Sequence, residues 1–213
     1  MDDDDLFRRT AANRRRAADL LAGLTPEQWS TPSLCAGWTV RELAGHLIMP
    51  MEASIPGFLL TLVKARGSAH RAVNMISRDL ARRGPAAIVA TLREKADSRV
   101  RPPGVGALGP MADSCIHLRD AARPLELDVT APLDDWRIVL DFLTSPAARR
   151  GFVPPGRLDG LRFHATDLGW KSGGGAEVAG PAEALALAMA GRPVALADLG
   201  GDGVPLLRSR IVG

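Results

Sequence analysis

Tyrosine is absent from this chain of 213 residues, and aromatic side chains make up only 4% of it. Proteins that hold single-stranded nucleic acid stack bases on aromatic rings, so that class is disfavoured. Lysine is scarce too. Of 27 basic residues only Lys64, Lys95 and Lys171 are lysines, and the rest are arginines. With the abundant alanine and glycine, this reads as codon bias towards a GC-rich genome. The arginine clusters Arg14–Arg16, Arg82–Arg83 and Arg149–Arg150 lie on separate segments, two of them at predicted helix ends where cations suit the helix dipole. They do not form one basic strip, and no helix-turn-helix with a basic recognition helix is evident, so no nucleic-acid partner is expected. There is no run of about 18 apolar residues, so no membrane span is expected. Cysteine occurs twice, at Cys35 and Cys115. The chain opens Met1-Asp2-Asp3-Asp4-Asp5, acidic where a secretory signal is basic and then apolar, so a cytoplasmic location without a disulfide is expected.

What is present is enough apolar residue for a core, 46% of the chain. Its periodicity is mostly helical. Ala17, Leu20, Leu21 and Leu24 form a stripe in a first helix over 6–24. Thr25-Pro26 then starts a short helix, with Thr25 as cap and Pro26 at the first helical position. Thr39 caps the next helix and Glu42 stands three residues on, the pattern of a capping box. Val40, Leu43, Ala44, Leu47 and Met51 line its apolar face, and Pro50 and Pro56 are expected to kink or break it. Two further helices are predicted over 70–83 and 85–99, split by Gly84-Pro85. The Pro- and Gly-rich stretch 101–109 is loop. Pro110 opens a helix to about Arg123, and a last bundle helix is predicted from Pro132 to near Arg150. Beyond Gly151 the character changes. A strand is expected over 158–170, with Leu161, Phe163 and Ala165 alternating against Arg162, His164 and Thr166. A turn at Gly173-Gly174-Gly175, a second strand at Glu177-Val178-Ala179 and a helix over 182–190 follow. The expected architecture is mainly α: a helical bundle over 1–150 and a small α+β domain over 151–213.

The residues with chemistry to offer are few. Asp113 and His117 are four apart, which places them on one helix face, one turn apart, as two ligands of one ion require. The same spacing also fits a surface pair or a cap. Asp120, three beyond His117, is near that face. It is either a ligand or the group that orients the imidazole through its second nitrogen. A third ligand must come from elsewhere, and His46, beside Leu43 and Leu47, is the best candidate. Two histidines and a carboxylate suit zinc, nickel or iron with open positions. Cys35 and Cys115 are assigned to packing, and Trp29, Trp38, Trp136 and Trp170 to anchoring between segments. His70 is read as a helix-start residue and His164 as an exposed strand residue. Asp167 with Trp170 is read as fixing a turn.

Three stretches carry a resemblance to a known family. The first is Leu24-Thr25-Pro26-Glu27-Gln28-Trp29 followed by Ser33-Leu34-Cys35-Ala36-Gly37-Trp38-Thr39-Val40-Arg41-Glu42-Leu43-Ala44-Gly45-His46-Leu47. The second is His117-Leu118-Arg119-Asp120-Ala121-Ala122-Arg123-Pro124-Leu125. The third is Gly160-Leu161-Arg162-Phe163, Ala165-Thr166-Asp167 and Trp170, then Gly180-Pro181-Ala182-Glu183-Ala184-Leu185 and Ala190-Gly191-Arg192-Pro193. In order along nearly the whole chain, they resemble the mycothiol-dependent maleylpyruvate isomerase family of the DinB-like superfamily. The resemblance implies a DinB-like four-helix bundle with a small α+β C-terminal domain. It also implies a divalent metal, zinc or nickel, held by His46, Asp113 and His117. Asp113 departs from the family's isomerase, which resembles this chain but has Glu there. The shorter carboxylate is still expected to reach. A C-terminal arginine supports catalysis in that isomerase, and Arg192 is its implied counterpart. The implied chemistry is a metal-activated thiol, mycothiol, adding to a small electrophilic substrate, in a monomer or homodimer. The competing readings are a metal-binding protein without turnover and a helical interaction protein without metal. Neither the substrate nor the use of maleylpyruvate is read from the residues.

Overall fold

The computed structural model describes residues 1–212. The chain is mainly helical, with a helical bundle and a small α+β C-terminal part, as expected. It divides into two compact units, one of residues 1–100 with 117–130 and one of residues 101–116 with 131–213.

The first unit holds α1 (Asp3–Ala22), α2 (Pro26–Trp29), α3 (Val40–Glu52), α4 (Ile55–Lys64), α5 (Ala69–Ala81) and α6 (Pro85–Glu94); the helix expected from residue 40 onward is broken into α3 and α4, and α6 stops short of the predicted end at Arg99. Their ends are chemically specified. Asp2 caps α1, and Thr25 and Thr39 cap α2 and α3, each in a complete capping box. Ser68 caps α5, so His70 is the second residue of that helix and exposed. Pro50 lies inside α3 two residues before its end, and Pro56 sits in the first turn of α4. The break between helices therefore falls between the two prolines, where the ring's missing N–H is harmless to the new helix. The core gathers Leu21, Trp29, Val40, Leu43, Ile48, Leu80, Ile88, Leu92 and Leu118. Fully burying one such aliphatic side chain stabilises by about 1.5–3 kcal/mol, so this cluster fixes the helices that meet in it. The arginine run Arg14–Arg16 lies within α1 and is not wholly a surface feature. Arg14 is buried, and its guanidinium donates to Ala96 O at 2.9 Å and Ser98 O at 2.8 Å, satisfying carbonyls beyond the end of α6.

One helix, α7 (Leu108–Ala122), is continuous through both units. It starts two residues earlier than predicted, with Pro110 still in the first turn, where backbone N–H groups have no intrahelical partner. The second unit continues with α8 (Leu133–Leu143), which is shorter than the predicted helix to Arg150. Thr144-Ser145 ends it, and Pro146–Arg150 form a separate 3-10 turn. Ser145 takes an extended backbone there, as the residue before a proline prefers.

The single predicted strand is two. β1 (Leu161–Ala165) and β2 (Trp170–Gly173) pair antiparallel, with Phe163 opposite Ser172. β3 (Ala176–Gly180) pairs parallel on the other side of β1, with Phe163 opposite Val178, giving the order β2-β1-β3. The chain passes under the start of β1 at Gly173-Gly174-Gly175. Gly173 and Gly175 have φ of +81° and +117°, and a Cβ on either would collide with the carbonyl of Leu161 or Gly160. Leu161, Phe163 and Ala165 face inward as their alternation predicts. Asp167 does not pair with Trp170. Its Oδ1 accepts from Ala182 N at 2.9 Å and so caps α9 (Ala182–Met189), while Trp170 Nε1 donates to Asp141 Oδ1 at 2.7 Å. A 3-10 turn (Pro193–Asp198) and α10 (Val204–Val212) complete the unit.

Candidate metal centre

The site begins with the entry to α3. Thr39 Oγ1 accepts from Glu42 N at 3.4 Å, and Glu42 Oε2 accepts from Thr39 N at 2.7 Å. Glu42 is also tied to α5 by Arg78, at 2.8 Å, and Arg78 donates to Gly37 O at 2.8 Å. Arg78 Nε donates to Asn74 Oδ1, which accepts from Trp38 Nε1 as well, both at 2.9 Å. The start of α3 is thus fixed against α5 before the first functional side chain appears. Two turns on, the helices touch at Gly45. A Cβ there would lie 2.9 Å from Ala81 N and well inside contact with Ser77 O. Only a residue without a side chain allows that approach, and it brings His46 against Ser77, with Nδ1 3.4 Å from Ser77 Oγ.

His46 stands in a ring cluster. Its imidazole centroid is 5.2 Å from the Trp38 ring and 4.9 Å from the His117 ring, the latter edge-on at 86°. Trp38 is therefore a wall of this site as well as an anchor. On α7, Asp113 and His117 lie one turn apart as their spacing predicts. One ligand atom from each of His46, Asp113 and His117 falls within 4.8 Å of the others, so the structure brings together the three residues singled out from the sequence. His46 and Asp113 are half-buried and His117 is buried.

Asp120 lies directly behind His117. It is fully buried, and its Oδ2 lies 2.8 Å from His117 Nδ1. In a neutral imidazole the Nδ1–H donates to that carboxylate, which places the acceptor lone pair on Nε2. Asp120 thus fixes the tautomer and ring orientation of His117, as groups behind metal-bound histidines do.

One neighbour of the site was missed. Cys35, assigned to packing, does touch the apolar core. Its thiol also donates to Asp120 Oδ2 at 3.2 Å and lies 3.6 Å from His117 Nδ1. The loop that carries it is closed by a bridge between Pro32 and Thr39, and is held to α7 by Leu34 N donating to Asp120 O at 3.1 Å. Local sequence held no signal for this. Cys115 is buried within α7, consistent with packing.

Arg192 follows α9 in the second unit, with Nη1 donating to Ala190 O at 2.7 Å. Its neighbour Arg157 donates to Met189 O at 3.2 Å. Burial, and then the charge of Arg192, hold the Arg157 pKa below its ordinary value, so two guanidiniums share this corner. His164 is half-exposed on β1 and does not join His46, Asp113 and His117.

Residues 10–104 match the family model of the mycothiol maleylpyruvate isomerase N-terminal domain, a span that includes Trp38 and His46 and the first of the three resembling stretches, so the resemblance of that stretch is borne out. The fold is similar to the crystal structure of the mycothiol-dependent maleylpyruvate isomerase, with a TM-score of 0.51, 15% identity and 90% of each chain covered. It is also similar to the crystal structure of a histidine-to-alanine mutant of the mycothiol-dependent maleylpyruvate isomerase, with a TM-score of 0.50, 14% identity, and 95% of this chain and 93% of that one covered. Identities this low speak for the fold alone. No curated protein matches the sequence. Among the described residues, no helix is long and apolar enough to cross a membrane.

Proposed function

We propose that this chain is a metal-dependent, thiol-dependent isomerase or transferase of the mycothiol-dependent maleylpyruvate isomerase type. The observation that carries the reading is the convergence of His46, Asp113 and His117 within 4.8 Å, with Asp120 behind His117. Two imidazoles and one carboxylate would hold a divalent ion, zinc or nickel, and leave a coordination position open. A bound ion would supply Lewis-acid chemistry, lowering the pKa of a coordinated thiol so that its sulfur is nucleophilic at neutral pH.

The chain's own residues have separable tasks in this reading. Asp120 holds the Nδ1 proton of His117 and keeps Nε2 aimed as a ligand. Gly45 sets the depth at which His46 enters. Trp38 covers His46 with an apolar ring and limits water beside it. Arg192 is assigned to the anionic end of the substrate, a carboxylate or developing oxyanion, for which a guanidinium is suited. The thiol is mycothiol or a thiol of similar size, by analogy with the names of the family model and of the similar structures. The reaction is addition of that thiol to an electrophilic carbon. Isomerisation follows if the thiol is later expelled, and transfer if it is kept. A location in the cytoplasm, where such thiols stay reduced, fits this chemistry.

The test supplies mycothiol with small electrophilic substrates to metal-loaded protein and follows thiol consumption and product. Turnover that needs both metal and thiol supports the reading. Arg192→Lys should then raise KM for an acidic substrate more than it lowers kcat. Metal-loaded protein that turns over none of a panel of activated alkenes, maleylpyruvate among them, argues instead for metal binding without turnover.

A further inference from the structure

His117 belongs to two groups of metal-ligating side chains. One is the set just described, and the other is Cys35, His117 and Asp120. In the second group Cys35 Sγ and Asp120 Oδ2 both lie at His117 Nδ1, at 3.6 Å and 2.8 Å, and are 3.2 Å from each other. A tetrahedral zinc-type ion with ordinary Zn–S, Zn–N and Zn–O bonds sets its donors roughly 3.6 Å apart for S and N, roughly 3.5 Å for S and O, and roughly 3.3 Å for N and O. The observed triangle matches the first and needs to open by only about half an ångström at most along the others. Hydrogen bonds hold the three donors in this contracted triangle. Asp120 and His117 are buried and Cys35 is half-buried.

We propose that Cys35, Asp120 and His117 Nδ1 form a second, thiolate-containing locus for a thiophilic divalent ion such as zinc, cobalt or cadmium, with His117 bridging it to the first. This rests on the proposed function only for the bridging; the three donors stand without it. Binding here replaces the Cys35 S–H proton and the His117 Nδ1–H proton, so one dipositive ion enters and two protons leave. Thiolate, imidazolate and the two carboxylates then carry four negative charges against two dipositive ions. The hydrogen-bonded triad is the resting state of the locus, and the same Asp120 oxygen that orients His117 becomes a ligand when the proton is displaced.

The test is a titration of the metal-stripped full chain with cobalt(II), read by its visible and near-ultraviolet spectrum. Wild type is expected to take two equivalents per chain and to develop a thiolate-to-cobalt charge-transfer band. Cys35→Ser is expected to take one equivalent without that band, and His46→Ala one equivalent with it. Wild type that saturates without the band overturns the proposal, and so does a band that persists in Cys35→Ser. If His46→Ala changes nothing while Cys35→Ser loses the band, the second locus stands and the His46 site fails. A measurement on unmodified protein guards against a poorly folding variant. Saturating cadmium should slow alkylation of Cys35, located by peptide mass, at least tenfold, and an unchanged rate overturns the proposal.

Discussion

Replacing Gly45 with alanine probes the contact that sets the depth of His46. A Cβ at this position would stand 2.9 Å from Ala81 N, half an ångström short of ordinary contact at 3.4 Å, and it would be closer still to Ser77 O. Both obstacles are helix backbone, which cannot swing aside, so α3 and α5 must part by something on the order of 1 Å. Overpacking of this kind costs about 1–3 kcal/mol. Alanine returns about 1 kcal/mol through its better helix propensity. The net expectation is a loss of about 0–2 kcal/mol, which in a chain of this size lowers Tm by no more than roughly 8 °C. The larger effect falls on the site, because ligands must hold their places within about 0.5 Å and His46 is the next residue. Metal affinity should therefore fall by more than the stability change alone accounts for. Thermal unfolding of apo and metal-loaded protein, with a competitive metal titration, measures both. A Gly45→Ala protein more stable than wild type, with unchanged metal affinity, would refute the close packing of α3 on α5 as the determinant of His46 position.

Other expectations follow from single contacts. Asp120→Asn removes the charged partner of His117, and such groups are worth about 10–100-fold in metal affinity, measurable by competition with a chromogenic chelator. Thr39→Ala deletes half of the capping box at the head of α3 and should cost about 1 kcal/mol in denaturant unfolding. Glu52 is held below its ordinary carboxylate pKa by hydrogen bonds from Lys95 and then Arg83. A depressed folded pKa gives stability that is present above the unfolded value of 4.5 and is lost as pH falls through the folded one. Glu52→Gln should accordingly flatten the acid side of the stability curve below about pH 5 while changing its neutral shape little.

The parts legible in the sequence were those written in local chemistry. Thr39 and Glu42 announce a helix start because a capping box needs only residues three apart. Asp113 and His117 announce a shared face because a helix repeats every 3.6 residues. His46 was the best candidate for a third ligand, but only the resemblance tied it to them, since nothing local tells α3 that it will meet α7. The contact of Cys35 with Asp120, added to its packing on the core, was not legible for the same reason: it depends on a loop closed by Pro32 and Thr39 and docked by Leu34 on Asp120. The predicted helix to Arg150 ran past a readable stop, Ser145-Pro146. The strand over 158–170 ran past another, the turn at Gly169, whose φ is +59°. That β3 pairs with β1 in parallel was not legible, because three successive glycines permit many paths and only packing selects one.

The central claim is that His46 and His117 grip one ion together with Asp113. Elemental analysis of full-length protein, purified without a metal-binding tag, tests it directly in wild type, His46→Ala and His117→Ala. At least one transition metal per wild-type chain is expected, with at least one equivalent lost in His46→Ala and all of it lost in His117→Ala. A wild-type chain that holds no metal, even after remetallation, or a His46→Ala chain that keeps every equivalent, would contradict the claim.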